Sequence, residues 1–330
     1  MNWLDYKKKF EPCKNWIISN QSLSGAIFWD EKGKCDPWDH CECLIALAIY
    51  EEWENFWKGV NWFFINLNED GLIYAEFQNE KPSKLYNESH HAPYIIMPLL
   101  QAYLIDHDQD YKKILTNEQL LKLEKIFEAL NDFKDQDGYF YWAKDSNGYS
   151  DNSLITASMS IFLSLAAKDK SVPKFKIDMW QEKFDRDGVD RSRFSMDFYY
   201  PFLAGIKNNK EEFLDLLDNY YVKGFGVKCV AEEPWVTIAE SSECVISALI
   251  HDNKDIAKDI FNDIQQFQNK DGIFPTGYQY DMEIFWPEEN STWTNAVVII
   301  AAHALSFYDL NSNESSVNVF LELRNFFKSN

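Results

Sequence analysis

Two kinds of hydrophobic pattern alternate along the chain. Six segments are apolar on nearly every side, which is typical of buried helices. They cover residues 38–50, 90–106, 152–168, 196–206, 238–251 and 292–307. Charged segments with the period of surface helices lie at about 3–19, 52–66, 117–133, 209–222, 254–268 and 315–328. Residues 174–187 are ambiguous and predict only a short outer helix.

Glycine turns separate these helices at a regular spacing. The glycines stand at positions 25, 71, 138, 188, 226 and 272, and each precedes an apolar residue. Several follow an aspartate, a pair that suits a turn with positive φ. A repeat of roughly 40 to 70 residues indicates a repeat architecture. The pattern predicts an all-α fold, an (α/α)6 barrel or toroid of six inner and six outer helices, in one domain spanning residues 1–330.

Composition and charge exclude several classes of protein. The chain has 330 residues, with 53 Asp plus Glu against 32 Lys plus Arg, and a formal net charge of −21. That charge argues against a nucleic-acid partner, because phosphate would be repelled. We expect no membrane partner and no signal peptide, because no apolar run approaches the roughly 20 residues that a bilayer requires. The sequence does not indicate the oligomeric state of the protein.

The cysteines and the short motifs offer no cofactor chemistry. Six scattered cysteines in a large chain are typical of free thiols in the cytoplasm. Cys35, His40, Cys41 and Cys43 form one cluster, whereas structural zinc usually takes two ligand pairs. The sequence also lacks G-x-S-x-G, phosphate-loop and G-x-G-x-x-G motifs. We therefore expect neither a metal nor a cofactor.

The loops that lead into the inner helices carry carboxylates and aromatic rings. Such loops gather at one end of a toroid, and sugars bind through stacking on rings and hydrogen bonds to polar side chains. The expected substrate-binding residues are Trp38, His40, His90, His91, Tyr94, Asp151, Asp197, Tyr199, Trp235, Tyr278, Trp286 and Trp293. Cleaving a glycosidic bond further requires two carboxyl groups. The alternative is that acids near helix starts, such as Asp36, Asp151 and Glu288, only favour the cap and the helix dipole.

Five motifs resemble a known bacterial family over nearly the whole chain. They are Asp36-Pro-Trp-Asp-His, Ser195-Met-Asp-Phe-Tyr-Tyr-Pro, Gly224-Phe-Gly-Val-Lys-Cys-Val-Ala, Pro234-Trp-Val-Thr-Ile-Ala-Glu and Trp293-Thr-Asn-Ala. The family is described as prenyltransferase-like or terpene-cyclase-like, and it includes a mycobacterial endo-α-1,4-mannosidase that cleaves methylmannose polysaccharides. The N-terminal helix and residues 78–90 look particular to this chain, so substrate length and methylation do not follow from the resemblance.

The resemblance implies one catalytic acid in the first motif and one in the fourth. These are Asp39 or Asp36, and Glu240 or Glu243. We expect the Asp39 and Glu240 carboxyls to stand roughly 6.5–9.5 Å apart, as in inverting enzymes. Apolar neighbours would make Glu240 the general acid, and His40 would keep Asp39 charged as the base. The reverse assignment stays open.

These features predict a glycoside hydrolase that cleaves an α-linked, mannan-like oligo- or polysaccharide. An epimerase or lyase is the first alternative, and it would use His40, His90 and His91 as acid and base. A terpene cyclase or prenyltransferase would need D-x-D-D or D-D-x-x-D, and neither is present. A glycan-binding protein would need the aromatic residues but no catalytic pair.

Overall fold

The fold is mostly helical. The computed structural model describes residues 2–169, 189–310 and 316–329. The helices described, α1 to α14 in chain order, are Trp3–Lys9, Glu11–Ser19, Pro37–Ile49, Trp53–Ile65, Ile96–Ile105, Tyr111–Ile114, Asn117–Ala129, Ile155–Asp169, Ser195–Leu203, Lys210–Leu217, Ile238–Ile250, Lys254–Ile264, Thr292–Phe307 and Val319–Ser329. Gly188 and the ambiguous segment 174–187 lie outside the described residues.

Six of the described helices contact one another in a closed series, which we call the inner ring: α3, α5, α8, α9, α11 and α13. In chain order each contacts the next, and α13 contacts α3, so the ring closes. Every residue of α11 is buried, as are residues 292–304 of α13. This burial on all sides is what their continuous apolar pattern predicts. The starts of the inner helices and the loops before them surround one opening, which we call the mouth.

The helices outside the ring bury one face only. In α12 the buried residues are Ala257, Ile260, Phe261 and Ile264, and the side chains between them face solvent. Helix α7 begins with a capping box, in which the Thr116 hydroxyl accepts from the backbone N–H of Gln119. These outer helices cover the apolar backs of the inner ones.

Small antiparallel sheets, which the sequence did not predict, join the mouth loops. The strands, β1 to β11, are Lys34–Cys35, Glu76–Gln78, Lys81–Lys84, Asn87–Glu88, Ala143–Asp145, Gly148–Tyr149, Tyr221–Val222, Gly226–Lys228, Trp235–Thr237, Gly277–Gln279 and Ile284–Phe285. They pair in the orders β1–β2–β3, β4–β5–β6 and β11–β10–β9–β8–β7. Each sheet takes strands from loops that precede different inner helices, so it fixes those loops relative to one another.

The glycine turns have the predicted backbone. Gly25, Gly71, Gly138, Gly226 and Gly272 all adopt positive φ. At Gly25 the requirement is also steric, because a Cβ there would lie 2.2 Å from the carbonyl oxygen of Lys58. Within the described residues, no helix combines the length and the apolar content needed to cross a bilayer.

Candidate active site

Trp38 stands at the centre of the mouth. It lies in the first turn of α3, and its ring packs near residues from three other loops or helices across the ring. The centroid distances are 5.4 Å to Tyr94, 6.3 Å to Tyr200 and 5.9 Å to Trp293. The starts of α3, α9 and α13 and the turn before α5 therefore converge, as the sequence analysis expected.

Helix α3 presents three acids, spaced one turn apart on one face. Asp36 is the N-cap, and its Oδ1 accepts from the backbone N–H groups of Trp38 (2.8 Å) and Asp39 (3.4 Å). Asp39 is half-buried one turn further, and Glu42 is buried below it. The Tyr94 hydroxyl donates to Glu42 Oε1 at 2.5 Å. The spacing i, i+3, i+6 makes this face run from the rim of the mouth into the ring.

Helix α11 presents a second pair of acids with the same spacing. Glu240 and Glu243 are both buried, at 6% and 3% exposure. Glu243 accepts hydrogen bonds from the hydroxyls of Tyr199 and Tyr200, the latter at 2.7 Å. Glu243 therefore lies at the level of Glu42, and both deep carboxyls are held by tyrosines.

These carboxyls influence one another's protonation. Burial raises the pKa of Glu243 well above its usual range, and the charge of Glu42 raises it further. Burial likewise raises the pKa of Asp39, with additional repulsion from Asp36, Glu42 and Glu243. The Trp38 ring on α3 lies 6.3 Å from the ring of Tyr200, whose hydroxyl donates to Glu243, so the acids of α3 and α11 are near one another.

Asp36 and Asp39 differ in what stabilises their charge. Burial raises the pKa of Asp36, but the N–H groups that it caps lower it. In this pair Asp39 therefore keeps the proton. Burial also raises the pKa of Glu240, while polar contacts from Thr237 and Cys229 oppose that rise. The local environments thus favour a protonated Asp39, the reverse of the role predicted from its neighbour His40.

His40 does not contact Asp39 through its ring nitrogens. Its Nδ1 accepts from the backbone N–H of Ile27 at 3.2 Å, and its Nε2 lies 3.1 Å from the carbonyl oxygen of Gly59. Burial lowers the pKa of His40 to about 4, so the ring is neutral. The prediction that it binds substrate is wrong, because both nitrogens are engaged by the backbone.

The other two histidines lie at the mouth beside acidic groups. Nε2 of His91 is 3.7 Å from Asp36 Oδ1 and 3.6 Å from Glu88 Oε2, and Nδ1 of His90 is 3.9 Å from Glu88 Oε2. Burial lowers the pKa of His90 well below its usual value and that of His91 to about 3. Both rings are therefore neutral.

The predicted aromatic platforms divide into buried and accessible rings. Tyr94 and Tyr199 are fully buried, so the prediction that they offer accessible faces is wrong. They are instead the donors to Glu42 and Glu243. Trp38 and Trp293 are 8% and 7% exposed, and the Nε1 of each has no hydrogen-bond partner among the described residues.

The remaining predicted platforms lie towards the rim. Trp235 and Trp286 pack edge to face at 5.1 Å, and Trp286 is exposed. The Trp235 Nε1–H donates to the carbonyl oxygen of Trp286 at 2.8 Å. Tyr278 is half-buried in the five-stranded sheet and stacks on Phe225. These rings are accessible in part, as a platform requires.

The two remaining predicted polar contacts have different settings. Asp197 is buried and pairs with Arg191, whose Nε lies 2.7 Å from Asp197 Oδ2. That ion pair gives Asp197 a structural partner. Asp151 is exposed in the loop before α8.

Sequence reasoning missed several residues of the site. Glu42 and Tyr200 complete its deep layer, and a cavity of about 430 Å³ beside the mouth is lined by Tyr86, Trp142 and Tyr149. The three-residue spacing between Asp39 and Glu42 could have indicated that Glu42 lies on the same helix face. The sequence could not predict the cavity, because the strands of the sheet β4–β5–β6 that form it are too short to show a pattern.

The fold is similar to that of solved α/α toroid structures. A glycosidase variant in complex with glucose has a TM-score of 0.66 at 11% identity, over 92% of this chain and 97% of that one. The cellobiose 2-epimerase of Spirochaeta thermophila has a TM-score of 0.64 at 10% identity, over 93% of this chain and 96% of that one. At these identities the similarity concerns the fold alone.

One relative by sequence is an MMP endo-(1,4)-3-O-methyl-alpha-D-mannosidase from Mycolicibacterium hassiacum. It is 28% identical over 305 residues, which cover 88% of this chain and 84% of that protein. No family model matches the chain. With this relative, the sequence-based prediction of a glycoside hydrolase is confirmed. The terpene-cyclase-like placement stays a prediction.

Proposed function

We propose that this protein hydrolyses an α-linked mannose oligosaccharide or polysaccharide with Asp39 and Glu240 as its catalytic pair. One observation carries this proposal. Two helices bring acids spaced one turn apart to one mouth: the Trp38 ring, next to Asp39 on α3, lies 6.3 Å from the ring of Tyr200, whose hydroxyl donates to Glu243 on α11. The mannoside substrate is proposed from the relative, whose own name specifies an endo-acting α-mannosidase.

The environments of the two carboxyls assign the steps. Protonated Asp39 gives its proton to the glycosidic oxygen as the bond to the anomeric carbon breaks. Ionised Glu240 takes a proton from a water molecule, whose oxygen attacks the anomeric carbon from the opposite face. The products are two sugars, with Asp39 ionised and Glu240 protonated, and a proton returned through solvent restores the pair. In this assignment, a carboxyl separation of roughly 6.5–9.5 Å and inversion at the anomeric carbon are expected.

Substrate contacts come from three parts of the mouth. The unpartnered indole N–H groups of Trp38 and Trp293 would donate to sugar hydroxyls near the acids. The cavity with Trp142 would hold a further sugar unit, and the exposed pair of Trp235 and Trp286 would stack against another. The segment 78–90, which supplies one wall of this cavity, would set substrate length.

We also propose the complete architecture, a single (α/α)6 domain of six inner and six outer helices over residues 1–330. The closed inner ring and the outer helices that bury one face support it. All six cysteines are free, which fits action in the reducing cytoplasm.

The test compares Asp39→Asn and Glu240→Gln on two substrates. On α-linked manno-oligosaccharides, both variants should lose roughly 10²- to 10⁴-fold in kcat/KM, measured as new reducing ends. On a mannoside whose leaving group needs no proton, Asp39→Asn should recover much of the rate and Glu240→Gln should not.

A matched control is Glu232→Gln, which removes an exposed glutamate from the same loop as Glu240. It should keep full activity on both substrates. Recovery by Glu240→Gln instead of Asp39→Asn would reverse the two roles. Near-normal activity of both variants on manno-oligosaccharides would refute the pair.

A further inference from the structure

A cluster of two histidines and two carboxylates at the mouth has a role separate from acid–base catalysis. Glu88, His90 and His91 each bring one ligand atom, and these atoms lie within 4.8 Å of one another. Asp36 Oδ1 adds a second carboxylate at 3.7 Å from Nε2 of His91. Two loops that are far apart in the sequence meet here, because Asp36 precedes α3 and the other three residues precede α5.

The distances in this cluster do not correspond to hydrogen bonds. The nitrogen-to-oxygen separations are 3.6, 3.7 and 3.9 Å, beyond the range in which such bonds contribute. These separations are closer to those between donor atoms that bind one shared metal ion. Bonds of about 2.1 Å from zinc to nitrogen or oxygen place neighbouring donors of a tetrahedral site roughly 3.4 Å apart. The ligand atoms of Glu88, His90 and His91 lie within 4.8 Å of one another, so a bound ion would draw these side chains closer together.

His90 supplies an independent observation. The residue is 8% exposed, and its Nδ1, the atom that faces Glu88, is buried and has no hydrogen-bond partner among the described residues. A buried ring nitrogen without a partner is costly. A metal ion bound by its lone pair removes that cost.

Other groups help to position the two carboxylates, and Asp36 Oδ1, the atom near His91, also accepts the backbone N–H groups that it caps. The Tyr86 hydroxyl donates to Glu88 Oε1 at 3.2 Å, which orients Oε2 towards the histidines. Lys84, a nearby cation, pairs with Glu76 at 2.9 Å. Two carboxylates beside two imidazoles therefore present net negative charge to whatever binds.

We propose that Glu88, His90, His91 and Asp36 form a binding site for a divalent first-row metal ion of the zinc type. Imidazole nitrogen combined with carboxylate oxygen is a donor set that suits zinc and its neighbours more than calcium or magnesium. The bound ion lies beside the mouth and neutralises charge next to Asp39.

The experiment measures metal binding directly on the full chain without a histidine tag. Protein treated with a chelator and dialysed is titrated with Zn²⁺ by calorimetry, and its metal content is measured by mass spectrometry. We expect one ion per chain. Co²⁺ in its place should give the intense visible absorption of a four-coordinate site.

Two variants and one control locate the ion. Glu88→Gln should weaken binding at least about tenfold, and His90→Asn should weaken it further. Glu88 is partly exposed, so its variant keeps the test valid if His90→Asn does not fold. His107→Gln removes an exposed histidine elsewhere and should bind like the unaltered protein. Absence of 1:1 binding, or equal affinity of Glu88→Gln and the unaltered protein, would overturn the proposal, and neither outcome depends on glycosidase activity.

Discussion

Replacing Glu42 by glutamine should change how stability depends on pH. Glu42 is buried on α3 and accepts from the Tyr94 hydroxyl. Burial raises the pKa of Glu42 from its ordinary value of 4.5 to about 7, and the phenol opposes part of that rise. The folded state therefore binds a proton over a pH range in which the unfolded chain has already released it.

The sign follows from the proton count. Between pH 4.5 and 7 the unfolded chain carries fewer protons at this site, so the free energy of unfolding falls as pH rises. A pKa difference of about 2.5, at about 1.4 kcal/mol for each unit, gives a total loss of about 3.5 kcal/mol, most of which occurs between pH 4.5 and 7. Glu42→Gln cannot ionise, and its amide oxygen can still accept from Tyr94. The free energy of unfolding of the variant should therefore increase relative to that of the unaltered protein as pH rises.

Urea unfolding followed by tryptophan fluorescence at pH 5, 6, 7 and 8 measures this difference. The free energy of unfolding of the variant, relative to that of the unaltered protein, should rise by about 2.5 kcal/mol between pH 5 and 8. Glu54→Gln removes an exposed glutamate and should show no such trend. If the Glu42→Gln difference is constant across this range, the carboxyl does not hold its proton in the fold, and the assigned pKa direction is wrong.

Three further predictions test the turns, a cap and the cavity. Gly25→Ala should cost about 3 kcal/mol or more in unfolding free energy, and Gly138→Ala less, because both have positive φ but only Gly25 would clash. Thr116→Ala should cost about 1 kcal/mol and Asn117→Ala much less by thermal unfolding, because Thr116 is the cap. Trp142→Ala should raise KM for oligosaccharides roughly tenfold with kcat nearly unchanged, and an unchanged KM would remove the cavity from the substrate path.

The helices were predictable because their signals are long. A buried helix such as Ile238–Ile250 extends its pattern over thirteen residues. The turns are marked by glycines at positions where φ is positive. The small sheets were not predictable, because strands of two to four residues are too short to show alternation. Asparagine is also a favoured N-cap residue, so Asn117 fits the start of α7 by sequence, yet Thr116 takes that position, a one-residue difference that propensity cannot resolve.

The candidate acids were found by motif, but their environments were not. Sequence neighbours suggested that His40 supports Asp39, although a side chain one residue further along a helix points about 100° away. His40 faces Ile27 and Gly59 instead. The neighbours of Asp39 on its helix face are Asp36 and Glu42, three residues away in either direction. Chemistry at a helix start is therefore better inferred from i, i+3 neighbours than from adjacent letters.

The same helical period explains how this fold can tune one of its acids. Glu42 lies one turn below Asp39 on α3, and Glu243 lies one turn below Glu240 on α11. Tyrosine hydroxyls hold both deep carboxyls. Burial raises the pKa of Asp39 most, and repulsion from Asp36, Glu42 and Glu243 adds to that rise. Because these groups are buried, solvent screens their charges only weakly. The deep carboxyls therefore contribute to the protonation of Asp39 without needing to touch substrate, and changes in the deep layer should alter the pH dependence of catalysis before they alter binding.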